Sequence, residues 1–161
     1  MPTSDSTTAD ESLDAITESL LTASRLLVAM SARSIGHVED TMTIPQFRTL
    51  VILSNRGPVN LATLSSLVGV KPSATGRMVD RLVGTGMIDR RQHPKSRREL
   101  LVALTDQGRN LVREVTGYRR AEIARVVEKM PEAERQGLVG ALQAFTAASN
   151  EPDFPVDVDE V

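Results

Sequence analysis

The segment from Asn60 to Thr105 changes its apolar rhythm partway along, and that change restricts the fold more than any other feature of the chain. NLATLSSLV places Leu61, Leu64, Leu67 and Val68 on one side of a short helix with Asn60 as its N-cap, and GV then turns the backbone. Lys71 and Pro72 open a second helix, PSATGRMVDRLVGTG. Its Met78, Val79, Leu82 and Val83 share a face, and Gly84 and Gly86 end it. From MIDRR onward the period drops to two. Leu100, Val102 and Leu104 alternate in LLVALT, a strand able to pair with MIDRR, and the connecting QHPKSR is too long for a tight hairpin turn. Two helices around a glycine-containing turn, followed at once by two strands, predict a helix-turn-helix carrying a two-stranded wing.

On either side the signals are helical. Leu13, Ile16, Leu20, Ala23, Leu27 and Met30 alternate spacings of three and four, a stripe on a first helix that should end near Gly36. Thr43 or Ile44 precedes Pro45 at the start of another helix, with Phe47, Leu50, Val51 and Leu53 inward and NRGP as its stop. Thr105 caps a long helix marked by Leu111, Val115, Ile123 and Val126 that reaches about Met130. Pro131 opens the last helix, with Leu138, Leu142 and Phe145 as its apolar face. The expected class is mainly α: a winged helix-turn-helix over residues 41–105, with N- and C-terminal helices, 11–40 and 106–149, forming a helical dimerisation region. Residues 1–10, rich in Ser, Thr and Asp, are expected to be a disordered tail, and 150–161 an acidic tail. The terminal helices carry more apolar stripe than one small domain can cover. A homodimer would bury it, although an exposed, charge-rich helix would read the same way.

Composition narrows the function. With no cysteine, disulfides, thiolate metal sites, cysteine nucleophiles and thiol redox sensing are excluded. His37 and His93 are the only histidines, which argues against a transition-metal sensor unless carboxylates contribute. There is no glycine-rich phosphate loop, nucleophile elbow or metal-spaced histidine pair, so neither an enzyme nor a cofactor is expected. Glu132 and Glu134 open a helix, where they favour its dipole without any catalytic role. No apolar run approaches the length needed to span a bilayer, and MPTSDSTTADES has neither the basic start nor the apolar block of a secretory leader. The expected location is therefore cytoplasmic.

Net charge is −2, yet Lys71 to Arg98 holds eight basic residues against two acids, a local +6 that leaves −8 for the rest. Charge alone fits either a phosphate-binding surface or a solvated helix and turn; position favours double-stranded DNA as the partner. Ser73, Ala74, Thr75, Gly76 and Arg77 fall in the first turns of the second motif helix, where side chains reach base edges in the major groove. Arg77 can pair bidentately with guanine or contact a phosphate. Gly76 costs about 1 kcal/mol relative to alanine in a helix, which either allows close approach of DNA or is simply tolerated. Arg81 is a phosphate clamp or an ion-pair partner of Asp80 or Asp89. Arg90 and Arg91 alternate along a strand, so one of the two should face the duplex. Lys95, Arg97 and Arg98, at the wing tip, can reach backbone phosphates or a narrow minor groove. The alternative is a winged-helix adaptor that binds another protein; arginines concentrated on both the second helix and the wing argue against it.

The run from Thr43 to Arg109, TIPQFRTLVILSNRGPVNLATLSSLVGVKPSATGRMVDRLVGTGMIDRRQHPKSRRELLVALTDQGR, closely resembles the multiple antibiotic resistance regulator (MarR) family of winged-helix transcription factors. The most specific parts are GV entering the second helix, RMVDRLVGTGMIDR, and the wing ending LLVALTDQG. The resemblance implies a homodimer built by the terminal helices, and a regulator, more often a repressor, of a pseudopalindromic operator. It also implies Arg98 as the foremost wing contact. It further implies a small lipophilic or phenolic effector held between the dimerisation helices and the winged domain, for which Arg25, His37, Arg48 and Tyr118 are the candidate polar contacts. Two positions depart from the family pattern. Ser96 stands where an aspartate usually braces the wing arginines, which predicts a looser wing, and Lys71 stands where a serine often caps the recognition helix, which predicts a weaker cap and an extra positive charge facing the DNA.

Overall fold

The computed structural model describes residues 5–150, with side chains from Ser12 onward. It is mainly helical: α1 (Asp5–Val38), α2 (Ile44–Arg56), β1 (Val59–Asn60), α3 (Leu61–Val68), α4 (Pro72–Gly84), β2 (Ile88–His93), β3 (Ser96–Leu104), α5 (Asp106–Lys129), α6 (Glu132–Arg135) and α7 (Leu138–Ala148). Helix α1 begins inside the stretch expected to be a disordered tail: residues 5–10 are helical. The remaining tail expectations, residues 1–4 and 151–161, lie outside the described residues. At its other end α1 passes Gly36 and stops at Val38.

Thr43 starts α2 through a reciprocal cap: its hydroxyl accepts the Gln46 N–H at 3.3 Å while Gln46 Oε1 accepts the Thr43 N–H at 2.9 Å. The buried side of α2 holds Phe47, Leu50, Ile52 and Leu53, with Val51, expected inward, only half-buried. One core joins these to Leu64 and Val68 of α3, Val79 and Leu82 of α4, and Ile88, Val102 and Leu104 of the sheet. It also takes Ile35 from α1 and Leu111, Val112 and Val115 from α5. Burial therefore runs past residues 41 and 105 into both flanking helices.

The sheet has three strands, in the order β1-β3-β2. The third strand corrects the expected two: Val59 and Asn60 pair with Val102 and Leu101, and two residues are too few to alternate visibly in sequence. The connection is also tighter than QHPKSR suggested. Antiparallel pairs run from Ile88↔Leu104 to Gln92↔Leu100, then jump to His93↔Ser96, leaving Pro94 and Lys95 as the turn and Arg97, Arg98 and Glu99 as a bulge in β3.

Beyond Thr105 the long helix runs to Lys129. The single last helix expected after Pro131 is instead broken into α6 and α7, because Gly137 takes the left-handed conformation (φ 79°) between them. Val139, Leu142 and Phe145 on α7, and Leu13, Ile16 and Leu27 of the α1 stripe, are exposed.

Candidate nucleic-acid interface

The two motif helices are held at a fixed angle by polar locks as well as by the core. Asn60 Oδ1 accepts the Thr63 N–H at 2.8 Å to start α3, and Gly69 in the left-handed region (φ 78°) ends it. Arg48 Nη1 donates to the Val68 carbonyl at 3.2 Å, neutralising the C-terminal end of α3. The Ser65 hydroxyl donates to Thr75 Oγ1 at 2.9 Å, and the Thr75 hydroxyl donates to the Lys71 carbonyl at 3.2 Å. Thr75 is thus fully buried between α3 and α4, which corrects its expected place among the DNA-facing side chains: its hydroxyl is consumed in joining the two helices.

The open face of α4 carries Ser73, Arg77, Asp80 and Arg81, all exposed, with Ala74 and Gly76 half-buried at its margins. A Cβ at Gly76 would sit 3.9 Å from Leu61 Cδ2, an ordinary contact, so this glycine flanks α3 and not the centre of the open face. Lys71 makes no side-chain cap bond, leaving the first turn of α4 without one and its ammonium exposed.

The wing is fastened at two places. Arg90 is ion-paired with Asp80 of α4, and Asn60 Nδ2 donates to Glu99 Oε1 at 2.5 Å. Arg91 Nε meets Asp89 Oδ1 at 3.1 Å on its own strand. Asp80 and Asp89 therefore pair with Arg90 and Arg91, so that of the two readings of Arg81, phosphate clamp or partner of one of these acids, the second does not hold. Both strand arginines are exposed, Arg90 paired to α4 and Arg91 to its own strand. The wing expected to be loose for want of an aspartate at Ser96 has side-chain ties elsewhere. The side chains of Arg77, Arg81, Lys95, Arg97 and Arg98 form no ion pair or hydrogen bond with the described residues. They leave a run of cations from α4 to the bulge, matched to phosphates by chemistry and exposure.

The effector candidates separate. His37 and Tyr118 pack ring to ring across α1 and α5, with centroids 4.3 Å apart and planes tilted by 59°. Arg48 is engaged at the end of α3, and Arg25 lies three turns before His37, about 18 Å along α1. Sequence reasoning missed Arg119. Its half-buried guanidinium lies 5.4 Å from the Phe47 ring centroid, with Nε 3.5 Å from Ser34 Oγ, and burial lowers its pKa from the ordinary value. Nothing distinguished it from Arg120 in sequence. Asn60, Asp80 and Glu99 were also missed as parts of the site, because their partners are remote in the chain or on another element.

Among the described residues no three His, Cys, Asp or Glu side chains cluster as metal ligands, and no helix is long and apolar enough to cross a membrane. The MarR family model matches residues 42–100, which span α2, the α3–α4 pair and the wing as far as the bulge. The crystal structure of RV1404 from Mycobacterium tuberculosis is similar over 89% of this chain and 98% of that one, with 69% identity and a TM-score of 0.82. The Bacillus subtilis transcriptional repressor MdtR is 33% identical over 93 residues, 58% of this chain and 60% of that protein. The fold is shared with Streptococcus pneumoniae FabT in complex with DNA, at 20% identity and a TM-score of 0.69 over 84% of this chain and 95% of that chain. A helix-turn-helix locked by Ser65 and Thr75, a tied basic wing and these likenesses place the chain in the MarR family of DNA-binding transcriptional regulators, which are not enzymes.

Proposed function

We propose that the chain is a cytoplasmic homodimeric repressor that occupies a pseudopalindromic operator and leaves it when a small lipophilic or phenolic effector binds. The observation that carries the DNA reading is the run of Arg77, Arg81, Lys95, Arg97 and Arg98, without acidic partners among the described residues, beside two helices locked together by the Ser65–Thr75 hydrogen bond. Homodimerisation is supported by the uncovered Leu13, Ile16 and Leu27 of α1 and Val139, Leu142 and Phe145 of α7. Two-fold symmetry would set the recognition helices about 34 Å apart, one turn of DNA. Repression follows the description of MdtR as a repressor. For the effector, the His37–Tyr118 pair and the half-buried Arg119 offer aromatic and cationic contacts at the junction of α1, α2 and α5.

Selection from a random double-stranded DNA pool, followed by a salt titration on the recovered duplex, tests this. A palindromic motif bound by a dimer with steep salt dependence is expected. Arg98→Ala should weaken binding to all sequences and lower the salt slope by about 1, whereas Arg77→Ala should cost about 1–3 kcal/mol and relax the preference at one base. Weak, salt-insensitive binding would favour the protein adaptor instead.

A further inference from the structure

We infer that Asn60 and Glu99 are positioning residues for DNA binding: their hydrogen bond ties the bulge that presents Arg97 and Arg98 to the start of the helix-turn-helix. The inference rests on the DNA reading above. The bulge is where the wing's own backbone gives least guidance, since residues 97–99 fall between the pairs Gln92↔Leu100 and His93↔Ser96. A bulged segment outside the ladder needs another anchor to hold one direction. Glu99 supplies it. Half-buried beside two exposed arginines, its carboxylate turns away from them to accept from Asn60 Nδ2 at 2.5 Å. The donor is itself immobile, because the same amide's Oδ1 caps α3 at 2.8 Å and the Asn60 backbone pairs with Leu101. One asparagine thus starts the first motif helix with one end and holds the wing with the other.

A carboxylate this close to a phosphate-binding edge opposes DNA by charge, which gives the two roles opposite signs. If Glu99 only adds negative charge, Glu99→Ala and Glu99→Gln both tighten binding. If it positions the bulge, Glu99→Ala weakens binding, while Glu99→Gln, whose amide oxygen can still accept from Asn60, does not. Asn60→Ser keeps an N-cap oxygen for α3 and removes only the donor.

The test measures affinity by anisotropy, using the duplex recovered by selection and the same duplex shortened at both ends so that the wings have nothing to touch. On the long duplex, Glu99→Ala and Asn60→Ser should each bind about tenfold more weakly, and the double variant no more weakly than either single. Glu99→Gln should bind within about twofold of the parent or tighter, and on the short duplex all four should fall within about twofold of it. Glu99→Ala binding as tightly as Glu99→Gln on the long duplex, or single-variant losses that multiply in the double variant, would overturn the inference. If the parent fails to bind any selected duplex, the DNA reading falls and the positioning role falls with it. If the parent binds and the variants match it, only the positioning role falls.

Discussion

The winged domain and the terminal helices use the same aliphatic alphabet to opposite effect. In the winged domain Leu50, Ile52, Leu64, Val79, Leu82 and Ile88 are essentially inaccessible, and hydroxyls and amides at the joints are paired. On α1 and α7, Leu13, Ile16, Val139 and Phe145 are each more than half exposed. One region is closed within a single chain; the other presents an apolar surface that the described residues leave uncovered. The contrast teaches that helical periodicity reports which face is apolar, and says nothing about which molecule covers it.

The strongest way to break the comparison is at Gly108. A Cβ there would lie 2.1 Å from the Met87 carbonyl oxygen and 3.1 Å from Leu104 Cδ2, so the backbone itself would have to move. Gly108→Ala should cost about 3 kcal/mol of unfolding free energy, read by urea denaturation. Next comes α7. Leu142→Glu combined with Phe145→Glu should weaken self-association by about 3 kcal/mol, halving the mass found by sedimentation, while the melting of the winged domain stays in place. If the melt collapses instead, the two regions share more stability than their packing shows. The smallest effect sharpens the picture at the start of α4, whose N-cap residue makes no side-chain bond. Lys71→Ser restores a cap acceptor to α4 and should add about 0.5–1 kcal/mol in a thermal melt, while removing one cation from the DNA side.

Much of this was legible in the sequence. The N-caps at Asn60 and Thr105, the recognition helix and the basic turn all follow from residues whose partners lie within a few positions. What escaped was set by distance or brevity. β1 is too short to show alternation, Asn60 and Glu99 stand 39 residues apart, and the break at Gly137 competed with a continuous apolar pattern from Leu138 onward. Thr75 was misplaced for a different reason: position near the start of a recognition helix does not say which way a hydroxyl points, and here Ser65 claims it.

The junction between wing and long helix has a mechanical consequence. Thr105 donates its hydroxyl to the Gly86 carbonyl at 2.6 Å and its amide to the Met87 carbonyl at 3.1 Å, and Gly108 packs directly on the same Met87 carbonyl. The base of α5 is thereby welded to the residues that end α4. Helix α5 has 24 residues, a rod of about 36 Å. A lean of about 5° about the junction moves the far end of such a rod by about 3 Å and turns α4, fixed to its base, through the same angle. The DNA-reading helix is in effect the short arm of a lever whose long arm is α5.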